Sequence, residues 1–332
     1  MNEMNSRLKI VAVSSEKEPT QTVSKKNSRI QQREEAKAKF ERLWLLDPEQ
    51  FNPLRNSMER QRLERTWDLL LRHQDPSGKQ IADLGCGSGI LSERLAKHGA
   101  YVLALDIASN ALKLISEKNI SNIEIKQDYV PFTTLDDQAY DLVISTDLIG
   151  FLHIQDYRLF MSELSRLVSA NGKILCSTSI DLNSDDVLER FNALAETELQ
   201  IDEWVFSYHR LYIKLLALLE IPTFYVRIKK DPDFFHREQG KRSSLGQKWL
   251  RLQKNTAVNF FWKSLNIFTT PLYNRVKNSH WLLNQLEKIC RFFWSEAGIS
   301  HAIFIGKRRP LAPPPEEAEI PQERKAKRLV WE

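Results

Sequence analysis

The segment Ala82-Asp83-Leu84-Gly85-Cys86-Gly87-Ser88-Gly89-Ile90-Leu91 joins a strand-like run to a helix-like run through three glycines in five residues. Such a loop turns sharply and lets the backbone approach a ligand where a Cβ would collide. The chain around it alternates. Strand-like Lys79–Leu84 and helical Ile90–His98 are followed by strand Tyr101–Asp106 and helix Ser109–Lys118. Strands Ile123–Gln127 and Asp141–Ser145, helix Asp156–Leu167 and strand Lys173–Ser177 continue the series. Alternation of this kind predicts a parallel sheet with helices on both faces. Thr223–Lys229 reads as a sixth strand and His301–Gly306 as a last one that returns to the sheet. The expected fold class is α/β: a doubly wound, seven-stranded, mostly parallel sheet with N-terminal helices and a helical insertion before the last strand.

The flanks divide by composition. Residues 1–35 are rich in Ser, Lys, Gln and Glu and read as a disordered arm. Residues 36–78 read as an N-terminal helical segment broken at Asp47-Pro48 and Asn52-Pro53, residues 79–230 as the ligand-binding core, and 231–298 as a helical, basic and aromatic insertion capping the substrate. Residues 299–309 hold the last core strand, and 310–332, with Pro313-Pro314-Pro315, read as a disordered tail. Cys86, Cys176 and Cys290 lie far apart, without a CxxC or paired histidines. That pattern predicts neither a structural zinc site nor a disulfide scaffold, and suits a reducing cytoplasm. The longest apolar run, Leu211 to Val226, is interrupted by Lys214, Glu220 and Pro222. It falls short of the roughly 20 apolar residues of a membrane span.

What the loop binds follows from its neighbours. Asp106 ends the next strand, where a carboxylate can accept hydrogen bonds from vicinal ribose hydroxyls. Glycine loop, helix start and acid together imply a nucleoside-containing ligand. Ile90 stands where a GxGxxG dinucleotide fingerprint places its third glycine, which disfavours NAD and FAD, and no GKS or GKT marks a P-loop.

With these residues the chain resembles the class I S-adenosylmethionine-dependent methyltransferases, whose fold is Rossmann-like. Asp83–Gly89 is similar to their first motif and Asp106 to their second. Gln127-Asp128-Tyr129 is placed like their third, adenine-contacting motif, Tyr140–Leu148 like the fourth, and Asn171-Gly172-Lys173 precedes the fifth strand as it does there. The resemblance implies S-adenosyl-L-methionine as cofactor, held by Asp83, Gly85, Cys86, Gly87, Gly89, Asp106, Ile107, Asp128, Tyr129 and Thr146. Locally, Gly89-Ile90-Leu91-Ser92-Glu93 and Asn52-Pro53-Leu54-Arg55 look like segments of the ubiquinone-biosynthesis O-methyltransferases, which would set Arg55 near the methionine carboxylate. That family carries acidic residues and a histidine after strand four, associated with a metal. Here the stretch is Asp147-Leu148-Ile149-Gly150-Phe151, with one acid, so no metal site is expected.

The methyl donor is already activated, so positioning can carry most of the catalysis. A base is needed only where the acceptor must lose a proton. Candidates are His153 and Asp147. Charge then separates the halves. Gly78–Asp181 holds 9 Lys and Arg against 13 Asp and Glu, whereas Val205–Arg309 holds 19 against 6, together with 18 of the 32 aromatic residues. The second half therefore reads as a cap over the acceptor, as a face for anionic lipid at the inner side of a membrane, or as an RNA-binding surface, in that order. The expected activity is methyl transfer to a small or lipid-like acceptor on oxygen. The alternatives are an RNA or protein methyltransferase and a non-catalytic cofactor-binding protein.

Overall fold

The computed structural model describes residues 19–180 and 186–309. The expected tail at 310–332 and the first 18 residues of the expected arm lie outside them. Seven strands form one sheet: β1 (Gln80–Leu84), β2 (Tyr101–Asp106), β3 (Ile123–Gln127), β4 (Tyr140–Thr146), β5 (Val168–Ser179), β6 (Leu199–Ser207) and β7 (His301–Arg308). Their order is β3-β2-β1-β4-β5-β7-β6. The first five pair in parallel, while β7 runs antiparallel to both β5 and β6. The central strands are covered on both faces, so successive side chains enter two different cores. Ala82, Leu84, Leu103, Val143 and Phe304 meet Phe160 and Leu164 on one side. Ile81, Val102, Leu142 and Ile303 meet Trp67, Leu70 and Leu95 on the other.

The flanking helices are α1 (Pro19–Leu46), α2 (Ser57–His73), α3 (Ile90–Lys97), α4 (Ser109–Ser116), α5 (Tyr157–Leu167) and α6 (Asp186–Glu198). Helix α1 begins at Pro19, so the stretch of the expected arm that lies within the described residues is helical. Its second half has a reason to hold: Trp44 packs with Ala108, just before α4, and Ala111 within it, and Phe40 and Phe51 close over them.

Between β6 and β7 lie α7 (Arg210–Lys230), α8 (Pro232–Gly240), α9 (Ser244–Leu252), α10 (Thr256–Lys277) and α11 (His280–Trp294). The expected strand at Thr223–Lys229 is therefore the last part of a helix. Its β-branched and aromatic residues favour a strand locally, but packing along α10 overrides that preference. Tyr225 stacks on Trp262 with ring centroids 4.7 Å apart, and the Tyr212 hydroxyl donates to the Val276 carbonyl at 2.8 Å. The sixth strand is instead β6. Trp204 and Phe206 stack at 5.8 Å on one of its faces, and a register shift between Ile201 and Glu203 blurs the alternation that would have marked it. The insertion is tied to the core by Arg65 of α2, whose guanidinium makes two 2.6 Å hydrogen bonds to the Glu287 carboxylate on α11.

Candidate functional site

Strand order reverses beside β1, where β2 and β3 lie to one side and β4 and β5 to the other. Ligands of open α/β sheets bind at the carboxyl ends of strands at such a point. A cavity of about 940 Å³ opens there.

The loop after β1 forms its floor. Gly85 and Gly87 adopt φ of +74° and +54°, the left-handed region that side chains resist. The Gly85 and Cys86 N–H groups donate to the Leu105 carbonyl at 2.7 and 3.0 Å, tying the loop to β2. A Cβ on Gly87 would stand 2.9 Å from the Trp44 ring. Asp83, Gly85, Cys86 and Gly87 line the cavity, but Gly89 does not. Gly89 is the left-handed N-cap of α3, and a Cβ there would meet the Ile115 side chain at 2.5 Å. Gly89 thus holds the start of α3 close to Ile115 of α4.

Carboxylates surround the loop, each with its own task. Asp83 is buried and accepts from the Ser92 hydroxyl at 2.5 Å, and burial pushes its carboxyl up to about 6. Asp106 accepts from the Gly87 N–H at 3.0 Å through one oxygen and from the Ala108 N–H at 2.9 Å through the other. Burial raises its carboxyl as well. A carboxylate has about four lone-pair sites, so each oxygen keeps capacity for a ligand hydroxyl. Asp128 serves the turn that follows it: Oδ1 accepts from the Tyr129 N–H, and Oδ2 from the Thr134 N–H and hydroxyl, all within 2.7–2.8 Å. Its neighbour Tyr129 presents a ring to the same cavity, together with Ile107 and Thr146. The Cys86 thiol is raised well above its ordinary value, chiefly by burial, which makes it a poor nucleophile.

The opposite wall comes from α1, a contribution the sequence reading did not foresee. Phe40, Leu43 and Trp44 line the cavity, and their spacing on one helical face was the available signal. Glu41, between them, accepts from the Ser109 and Asn110 N–H groups at the start of α4, at 2.7 and 3.0 Å. Burial alone would raise its carboxyl, but those N–H groups and Lys37 hold it below the ordinary 4.5. The contact is therefore complete above that value and is lost as the pH falls through the lowered one. Amide hydrogen exchange in α1, normalised to the intrinsic rate at each pH, is expected to accelerate below pH 4.5. Glu41→Gln should exchange fast at every pH, and a wild-type pH profile in that variant would refute the linkage.

The acceptor end lies beyond the glycine loop, walled by Phe51, Phe151, Leu152, Tyr157, Ile180 and Phe191. Asp147 faces it from a left-handed backbone, φ +56°. Its carboxylate binds Arg62 at 3.0 and 3.1 Å, Ser179 Oγ at 3.2 Å and His301 Nε2 at 3.1 Å. Burial opposes its charge, yet Arg62 and His301 together hold the carboxyl well below the usual range. His301 is itself buried, and burial followed by Arg62 lowers its proton affinity, so the neutral ring donates Nε2–H to Asp147. Among the described residues His153 is the imidazole that lines the cavity, and it is exposed. Arg55 also lines it, bound to the Gln50 carbonyl and, at 3.1 Å, to Glu59. No residue of 231–298 lines this cavity.

Residues 82–176 match the family described as methyltransferase domain. Over 104 residues the chain is 32% identical to the ubiquinone biosynthesis O-methyltransferase of Coxiella burnetii strain RSA 493 / Nine Mile phase I, a match covering 30% of this chain and 44% of that protein. Over 147 residues it is 33% identical to the ubiquinone biosynthesis O-methyltransferase of Vibrio atlanticus strain LGP32, covering 41% and 56%. The chain thus spans about half the length of these relatives. The N-methyltransferase NodS of Bradyrhizobium japonicum WM9, solved with S-adenosyl-L-homocysteine, is similar at 18% identity and a TM-score of 0.45, over 52% of this chain and 89% of that one. Residues 82–176 are thus similar to methyltransferase domains, and the cofactor expected from the sequence is S-adenosyl-L-methionine. The residues present fit it. Gly85 and Gly87 form the left-handed loop that lines the cavity, Asp106 offers unfilled acceptor positions, and Tyr129 lines the same cavity.

Proposed function

We propose that the chain built around this methyltransferase domain transfers a methyl group to an oxygen of a small or lipid-like acceptor. One observation carries the reading. The glycine loop and Asp106 open into the same cavity as an apolar chamber whose edge bears His153. When bound, the cofactor supplies a methyl group on a positively charged sulfur, a leaving group that needs no further activation. Gly85, Gly87 and Asp106 would hold its nucleoside part, Tyr129 would meet the adenine, and the closing wall of Phe40, Trp44 and Phe51 would exclude water. The acceptor hydroxyl sits among Leu152, Tyr157, Ile180 and Phe191. A ring nitrogen of His153, at the same cavity, would take the proton of that hydroxyl, and the bound cofactor would supply the methyl group. Proton transfer of this kind contributes about 10²–10⁴-fold.

Asp147 is a positioning residue in this scheme. A carboxylate held ionised by Arg62 and His301 has too little proton affinity to act as the base, but it fixes the start of the 147–153 loop. The curated relatives are named for O-methylation, which supports oxygen as the acceptor atom. An RNA or protein acceptor would call for free cations around the opening. Instead Arg55 and Arg62 are both paired with carboxylates.

The test is transfer of a tritiated methyl group into a lipid extract. The wild-type protein is expected to label an extractable product. His153→Ala should lower turnover at least a hundredfold while leaving cofactor affinity within twofold. Label recovered only in RNA or protein would overturn the acceptor class. Cofactor binding with no transfer to any fraction would favour a non-catalytic protein.

A further inference from the structure

We infer that the outward face of α9 and α10 docks on an anionic lipid bilayer. The inference is independent of the proposed reaction, because none of these residues touches the cavity.

Helix α10 is arranged inside out for a water-soluble surface. The side turned to α7 carries Asn259, Trp262, Asn266, Thr269, Tyr273 and Val276, at the three- and four-residue spacing of one helical face. Asn266 meets a partner there: Thr223 Oγ1 and Asn266 Oδ1 lie 2.7 Å apart. The side turned to solvent carries Phe260, Phe261, Leu265, Ile267, Phe268 and Leu272, with Phe260, Ile267 and Phe268 each more than 70% exposed. Solvent normally receives the polar face of a helix, so an apolar outward face marks a surface meant for something else. Helix α9 extends it. Leu245, Trp249 and Leu252, at i, i+4 and i+7, are all exposed. The two helices are joined through Tyr225, which accepts from Trp249 Nε1 at 3.2 Å and stacks on Trp262.

Charge selects the occupant. Residues 241–294 contain ten Lys and Arg and one acid, Glu287. That acid is buried against Arg65, so it leaves the surface positive. Lys248, Arg251, Lys263 and Arg275 are exposed on the same two helices. A second copy of the chain would bring like charges together, which opposes pairing through this face. A bilayer with anionic headgroups satisfies both properties: the aromatic and aliphatic side chains enter the acyl boundary while the Lys and Arg side chains meet the headgroups. Among the described residues no helix is long and apolar enough to cross a membrane. Contact by the face of a helix lying in the interface plane is the remaining geometry.

The experiment is flotation of the full chain with vesicles of phosphatidylcholine alone or with 30 mole per cent phosphatidylglycerol, a composition chosen as an order-of-magnitude match to anionic membranes of about −30 to −50 mV. Floating with the anionic vesicles, at least tenfold weaker on neutral ones and reduced by salt, is the expected result. Phe261→Ser with Phe268→Ser should cut partitioning at least tenfold with unchanged circular dichroism. Lys248→Glu with Lys263→Glu should do the same without touching an apolar residue. No flotation on either vesicle would overturn the inference. So would equal binding by wild type and both variants, or a concentration-dependent dimer that the Phe variants abolish.

Discussion

Replacing Gly89 by alanine lowers the stability of the whole protein while leaving the cavity lining unchanged. The residue sits at φ +70°, and its Cβ would meet the Ile115 side chain at 2.5 Å. Left-handed backbone costs a side-chain-bearing residue roughly 1–2 kcal/mol. Forcing Ile115 aside adds about 1–3 kcal/mol of overpacking. Denaturant unfolding should therefore show a loss of about 2–5 kcal/mol, the sum of those two ranges. Shortening Ile115 to valine in the same chain should recover part of it, because the clash is with that side chain, while the backbone strain remains. Equal stability with weakened cofactor affinity would place Gly89 at the ligand after all.

Asp106→Ala should instead spare most of the fold and weaken S-adenosyl-L-methionine binding by about 10- to 100-fold, or roughly 1.4–2.8 kcal/mol. The variant removes the acceptors for ribose hydroxyls and also the anchor that holds the Gly87 N–H at 3.0 Å. Asp106→Asn keeps an acceptor oxygen but puts an amide where the second stood, so it should fall between the wild type and alanine. Calorimetric titration separates these outcomes from unfolding. An alanine variant that binds like the wild type would remove the ribose assignment and leave the loop alone to hold the cofactor.

The two residues show what a short stretch of sequence reports and what it does not. Asp106 could be placed because it ends a strand immediately after a glycine loop and its helix, a local pattern with a fixed chemical meaning. Gly89 belongs to the same pattern, yet its neighbour Ile115 comes from α4, and nothing in the loop's spacing reports that approach. Asp128 was read as an adenine contact. Its carboxylate is filled by the Tyr129 and Thr134 N–H groups and the Thr134 hydroxyl, an arrangement set by how the following turn folds back. Asp147 was read as a candidate base. Its partners Arg62 and His301 lie 85 and 154 residues away, too far for any window to connect.

Alternation, glycines and a strand-ending acid were enough to specify the parallel half of the sheet, β1 to β5, and the side of it that binds the cofactor. Those features depend on interactions within a few residues or between adjacent elements, and each leaves a period or a residue type in the chain. Tertiary structure alone decided the rest. It covered the cavity with α1 and made Thr223–Lys229 helical against α10. It also kept the basic insertion out of the cavity lining, leaving three phenylalanines of α10 facing solvent. The physical reason is the same in each case. Burial is a property of whichever surface arrives from elsewhere in the chain, and an apolar residue reads identically in sequence whether it packs inward or waits for a partner.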